Sequence, residues 1–243
     1  RKTIKGVSSV SEVILLGAKF WDAPIEESVN IHDSQSKDTF ETTLLSFFDS
    51  LAPKEKEQKK KTIAELSNSL PETLKTSLVI IFSALNQAID LRNEAIKYIG
   101  LSDALKKKFF DNMKTMTFAV GRPLKENDTI DVSKYLESRF LFHEFSYQKM
   151  ALASSIIAKA VSESNIDKIN ISEKFEFALN TPYGMIIIRD NDNHVYKEEE
   201  KPFQNSILFF LDTGGDDSYE IPIGANISIN NPVSVAIDLG GKD

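Results

Sequence analysis

Two stretches set carboxylates beside paired glycines. ILFFLDTGGDDSY, residues 207–219, carries Asp212, Asp216 and Asp217, and VAIDLGGKD, residues 235–243, carries Asp238 and Asp243. MIIIRDNDNHVY, residues 185–196, is a degenerate predecessor with Asp190 and Asp192. Carboxylates at this density can do three kinds of chemistry. Two that face each other can share one proton, so that one activates water while the other stays protonated. Several that converge with backbone carbonyls can hold Ca²⁺. Each can also accept from the backbone amides of its own turn and do nothing more.

The spacing narrows the choice. With the tyrosines superposed, Arg189 falls on Asp212, Asn191 on Gly214, Asp192 on Gly215, Asn193 on Asp216, and Tyr196 on Tyr219. The third copy sets Asp238 on Asp212, Gly240 and Gly241 on Gly214 and Gly215, and Asp243 on Asp217. The offsets are 23 and 26 residues. Self-similarity at such a period marks stacked repeats, and a coil of this length holds short strands joined by turns. Gly214, Gly215, Gly240 and Gly241 are the turn-forming positions, because glycine accepts positive φ without a steric penalty. Stacked coils lie ~4.8 Å apart, which makes equivalent residues neighbours. Asp212 then sits between Arg189 and Asp238, and the second contact is repulsive unless a cation, a shared proton or solvent relieves it. Asp190, Asp192, Asp212, Asp216, Asp217, Asp238 and Asp243 are accordingly the candidate ligands of a calcium ion, and a face of turn-capping aspartates is the alternative.

Two kinds of element must position these residues. From about Ser8 to Ser164 the apolar residues recur at helical spacing. Leu74, Leu78, Ile81, Leu85 and Ile89 step by four, three, four and four along a helix started near Pro71 and closed at Gly100. A second long helix is expected over 142–162, with Phe145, Leu152, Ile156 and Ala160 inward, and shorter ones over 10–21, 39–51, 102–116 and 132–140. KEKEQKKK, residues 54–61, reads as a solvated helix start or linker, since Glu55 and Glu57 interrupt the basic run. After Ile169 the period changes. KFEFAL, YGMIII, SILFFL, ANISI and VSVAI are short, apolar and separated by Asn, Asp, Gly and Pro, which predicts strands. The expected fold class is α+β: an N-terminal α-helical bundle over residues 1–165, then a β-rich repeat segment over 166–243 that forms the first coils of a parallel β-solenoid. The third copy stops at Asp243 before its tyrosine, so the repeat reads as truncated.

Charge sharpens the partner classes. Residues 166–243 hold 6 Lys and Arg against 14 Asp and Glu, while the first 165 hold 23 against 22. An acidic surface of this kind suits cations and opposes nucleic acid, whose binding depends on phosphate neutralisation. The chain has no cysteine, which excludes disulfides, zinc–thiolate sites and cysteine nucleophiles. No run of large apolar residues exceeds five, the length of LVIIF at residues 78–82, so no transmembrane segment is expected. Of the three histidines, His143 precedes Glu144, but Tyr147 stands where a zinc-peptidase motif needs its second histidine; His32 carries no motif and His194 belongs to a repeat turn.

Two family resemblances follow from the quoted residues. The Asp-x-Gly-Gly-x-Asp-x-Tyr pattern after an apolar strand, within residues 181–243, resembles repeats in uncharacterised bacterial proteins of the exported class. That resemblance implies a secreted or cell-envelope location and a non-enzymatic structural or binding role, through a protein partner or self-association. The pattern also resembles the glycine- and aspartate-rich calcium repeats of secreted toxins, although the period here is longer. FFLDTGGDDSY also resembles the active-site loop of retroviral-type aspartic peptidases, which implies Asp212 as the catalytic carboxylate of a homodimer. Only 31 residues follow Asp212, and no later apolar run ends in the Gly-Arg-Asp or Gly-Arg-Asn of that family. A third role is partner binding by the helical half alone.

Overall fold

The computed structural model describes residues 10–20, 22–23, 39–97, 104, 107, 146–228 and 230–242. Among the described residues five α-helices precede the strands, and the fold is mixed α+β. Helix α1 runs Val10–Phe20, α2 Phe40–Ser46, α3 Pro53–Ser67, α4 Glu72–Lys97 and α5 Tyr147–Ser164. The helices expected over 102–116 and 132–140, and the start of the one expected at 142, lie outside the described residues.

Local chemistry explains the helix ends. Thr39 caps α2 reciprocally: its Oγ1 accepts from the Thr42 N–H, and Thr42 Oγ1 accepts from the Thr39 N–H at 2.8 Å. Pro53 opens α3, where a missing N–H costs nothing. Asn165, at φ +51°, ends α5 in a left-handed turn, and the Ser77 hydroxyl donates to the Ser164 carbonyl at 2.7 Å. Residues 54–61 are the solvated start of helix α3, the first of the two alternatives read from their charge pattern. The lysines form its solvent side, with Lys56 paired to Asp49 and Lys59 Nζ 5.3 Å from the centroid of the Phe48 ring.

The α4 stripe Leu74, Leu78, Ile81, Leu85 and Ile89 is buried throughout. By length and composition Glu72–Ile96 could cross a bilayer, although polar residues interrupt its apolar run. Here its stripe forms the protein core. Phe82 of α4 joins the layers: its ring centroid lies 6.0 Å from Phe40, 6.1 Å from Phe47 and 5.1 Å from Phe209, the last edge to face. One apolar cluster therefore continues from the helices into the strands across residue 165.

Six strands follow among the described residues: β1 Glu176–Thr181, β2 Gly184–Arg189, β3 Val195–Lys197, β4 Ile207–Asp212, β5 Ser218–Glu220 and β6 Val235–Asp238. They form a four-stranded sheet, ordered β1-β2-β4-β6, and a two-stranded sheet, β3-β5. β1 and β2 are an antiparallel hairpin, whereas β2-β4, β4-β6 and β3-β5 are parallel. The larger sheet is sandwiched. Ile186, Ile188, Phe209 and Leu211 face the helices, while Met185, Ile187, Ile207 and Phe210 face Tyr196, Phe203 and Ile221. Leu208 is an extra residue between the Met185–Ile207 and Ile186–Phe209 pairs, and the bulge puts it with Phe209 on the helix side. Every residue of β4 is consequently buried. ANISI, expected as a strand, is irregular in its described residues 225–228, and the short β3 and β5 were not anticipated as strands.

Candidate functional site

The parallel ladders set the repeat in register. Arg189 lies opposite Asp212, Asp212 opposite Asp238, and Tyr196 opposite Tyr219. The Tyr196 and Tyr219 rings stack with centroids 5.2 Å apart and planes 19° apart. The backbone ladder continues past the strands at equivalent places: Thr213 N–H donates to the Arg189 carbonyl and Leu239 N–H to the Asp212 carbonyl.

Side chains then tie each copy to the next. The Tyr196 hydroxyl donates to Asp212 Oδ2, and the Tyr219 hydroxyl to Asp238 Oδ2 at 2.7 Å. Each tyrosine thus bonds the aspartate of the following copy. Asn193 Oδ1 accepts from the Asp216 N–H at 2.8 Å, and Asp216 Oδ1 accepts from the Lys242 N–H at 3.0 Å. Asp217 Oδ1 accepts from the His194 N–H, its counterpart in the preceding copy. Within their own turns, Asp212 and Asp238 each accept from the glycine N–H two residues on, at 2.9 Å.

The remaining carboxylates are engaged as well. Asp190, 6 % exposed, accepts from the Phe175 and Asp192 amides and meets His194 Nε2 at 3.0 Å. Asp192 pairs with Lys174. Asp243 lies outside the described residues, as do His32 and His143. Among the described residues no three Asp, Glu or His side chains converge as a cation site requires. The six of the proposed ligands that are described are therefore strung along a turn ridge rather than gathered at a point. Arg189 also departs from expectation: its Nη2 pairs with Glu176 of β1 at 2.8 Å instead of with Asp212, and its guanidinium lies over Phe203.

Electrostatics follow from burial. Asp212 is fully buried, which raises its pKa to about 6; the bonds from Tyr196 and Gly214 oppose the rise and the charge of Asp217 adds to it. Burial acts upward on Asp190 too, but the bonds from His194 and from the Asp192 and Phe175 amides outweigh it, and its pKa is lowered. Burial, then the bond to a carboxylate, raises both Tyr196 and Tyr219. As a peptidase centre, Asp212 would have to offer an oxygen to water and to a second carboxylate. Here one oxygen holds Gly214, the other holds Tyr196, and neither meets solvent.

Gly214, Gly215, Gly240 and Gly241 take φ of +135°, +122°, +152° and +140°. Gly215 is further constrained by its neighbour, since a Cβ there would stand 2.4 Å from the Asp192 carbonyl oxygen. A separate cavity of about 440 Å³ lies between the starts of α2 and α4, lined by Thr39, Glu41, Lys75 and Thr76. Its lysine is held by Glu72 at 2.7 Å.

Comparison with protein-family models, with curated proteins and with solved structures gives no match for this chain. The functional reading therefore rests on the geometry above. The couplings through Tyr196, Asn193 and His194 were the parts missed in the sequence. The shared positions of the tyrosines in the repeat were the signal that could have exposed the first of them.

Proposed function

We infer that this chain is a non-catalytic structural or binding module whose β part is a short β-solenoid seeded on the helical layer. The observation that carries the reading is the translational equivalence of the copies. Strand, turn, aspartate and tyrosine recur at the same register, and the side-chain bonds run from one copy to the next. Such bonds are used up in building the stack, and the carboxylates so engaged are unavailable to catalysis. The antiparallel β1 and the buried Arg189 form the cap on which the stack begins. The turn ridge also presents Asp192, Asp216 and Asp238, from three different places in the repeat, to solvent as an acidic edge suited to a cationic surface of a protein partner.

Duplicating a copy tests the stack. In a solenoid, stability is a sum over repeats and their interfaces, so an inserted copy is tolerated. A second copy of residues 213–238 placed directly after Asp238 is expected to give a cooperatively folded protein with added parallel strand content and undiminished stability. Aggregation or loss of cooperative unfolding would count against the solenoid. Pepstatin-sensitive peptide cleavage that disappears in Asp212→Asn would favour the peptidase instead.

A further inference from the structure

The outer margin of the stack differs from its inner ladders. Among the described residues β6 pairs with β4 on one side and with nothing on the other, and β5 has β3 alone. In a parallel ladder successive residues turn their backbone groups to opposite neighbours. The Leu239 N–H reaches back to the Asp212 carbonyl and the Ser218 N–H to the His194 carbonyl. Ala236 and Asp238 of β6, and Tyr219 of β5, therefore turn their backbone groups outward. The apolar row is also incomplete at this margin. Phe209 and Leu211 of β4 are fully buried, whereas their register partners Val235 and Ile237 are half-buried against the same cluster.

Charge decides what can pair here. Asp216, Glu220 and Asp238 stand exposed along the margin and outnumber Lys242 at its turn. A second copy of the chain would bring the same carboxylates to meet them, and like charges directly opposite are destabilising. Charged residues on an edge strand guard against such self-pairing. At the other margin of the sheet the Glu176 carbonyl of β1 already accepts from the Ser69 hydroxyl, which opposes head-to-tail stacking of copies. The degenerate copy shows what would complement the margin. Arg189 holds the repeat position of Asp212 and Asp238, with Ile186 and Ile188 before it. A strand built like β2 and laid parallel on β6 would set arginine opposite Asp238 and isoleucines beside Val235 and Ile237.

We propose that the β5-β6 margin is a strand-accepting site for another protein, which supplies an extended apolar segment, parallel to β6, with Arg or Lys opposite Asp238. Main-chain bonds to Ala236 and Asp238 give the affinity, and the carboxylate selects a basic partner and refuses another copy. The site rests on the scaffold reading, since it extends the same interface between copies by one rung.

A synthetic peptide with the sequence of residues 184–197 is the probe, and a twin peptide carries Asp in place of its arginine. In the folded chain β2 lies between β1 and β4, so only the free peptide can offer this segment. By fluorescence anisotropy the arginine peptide should bind about tenfold more tightly than its twin, and Asp238→Arg should reverse the preference. Hydrogen exchange should show the Ala236 and Asp238 amides gaining protection when the peptide binds. Ala236→Pro removes an outward N–H and leaves the ladder to β4 whole, so it should abolish binding while the chain stays folded. If that variant does not fold, a peptide N-methylated at the residue before its arginine puts the same question to the ladder, and it should not bind. Binding that survives either block, or equal affinity of the two peptides, overturns the site. So does dimerisation of the protein that Ala236→Pro abolishes, because the occupant is then a second copy. A chain whose duplicated copy folds but which binds no peptide loses the site and keeps the scaffold; failure of both removes the reading on which the site rests.

Discussion

Gly215 separates what the turn demands from what the stack demands. Its φ of +122° is a conformation that side chains resist, and Gly214 in the same turn, at +135°, shares that resistance. Their surroundings differ. A Cβ on Gly214 meets the Gly240 carbonyl oxygen at an ordinary 3.5 Å, whereas one on Gly215 meets the Asp192 carbonyl oxygen at 2.4 Å and its carbon at 2.9 Å. Both alanine variants lose about 1–3 kcal/mol to backbone strain. Gly215→Ala must in addition push two stacked turns apart by most of an ångström, and forced overpacking adds about 1–3 kcal/mol. At about 2–4 °C per kcal/mol for a chain of this size, Gly215→Ala should melt several degrees below Gly214→Ala. Thermal unfolding followed by circular dichroism is the assay, with Gly240→Ala as a second control, because its Cβ has nothing within 4 Å. Equal losses in all three variants would refute the claim that turn-on-turn contact, rather than the turn alone, requires glycine at 215.

Other positions give simpler expectations. Phe82→Ala removes the ring that links α2, α4 and β4, and should cost about 3–5 kcal/mol in chemical denaturation. Asn231, 1 % exposed, donates through Nδ2 to the Tyr183, Ile207 and Val233 carbonyls. Asn231→Ala should lose about 1–3 kcal/mol and release the 221–234 segment to hydrogen exchange. Tyr219→Phe gives up a hydrogen bond to an exposed carboxylate while keeping the ring stack, so its loss should stay within about 1 kcal/mol of wild type. With the turn aspartates engaged by amides and hydroxyls, millimolar calcium should leave the melting temperature where EDTA leaves it. A site with Kd a hundredfold below the calcium concentration would add about 2.7 kcal/mol and be plainly visible.

The elements legible in the sequence were those with a strong period. The α4 stripe from Leu74 to Ile89 and the pairing of Arg189, Asp212 and Asp238 both follow from spacing, since spacing decides which residues share a face or a register. Helix α3 was obscured because its lysines and glutamates leave few apolar positions; Ile63 and Ser67 are its buried residues, and packing at those two places holds it. β3 and β5 are three residues each, too short for alternation to show. Residues 225–228 have strand-like composition, but the segment is tied down by the Asn226 and Asn231 side chains rather than by a ladder. The carboxylates were found as a group, yet their roles were not. Whether Asp212 holds a cation or a phenol depends on where Tyr196 arrives, and that is fixed by the packing of Phe203 and Phe210 around its ring.

The hairpin at the start of the sheet has a kinetic consequence. β1 and β2 pair through a turn of Pro182 and Tyr183, so their closure is local and belongs to the microsecond events of hairpin formation. Each parallel neighbour must close a loop of more than 20 residues first, a search that topology makes slower. The hairpin is thus the template, β4 is recruited onto β2 while Phe209 docks on Phe82, and β6 comes last. Assembly has a direction, from the antiparallel end outward, and the order of strands in space becomes the order of events in time.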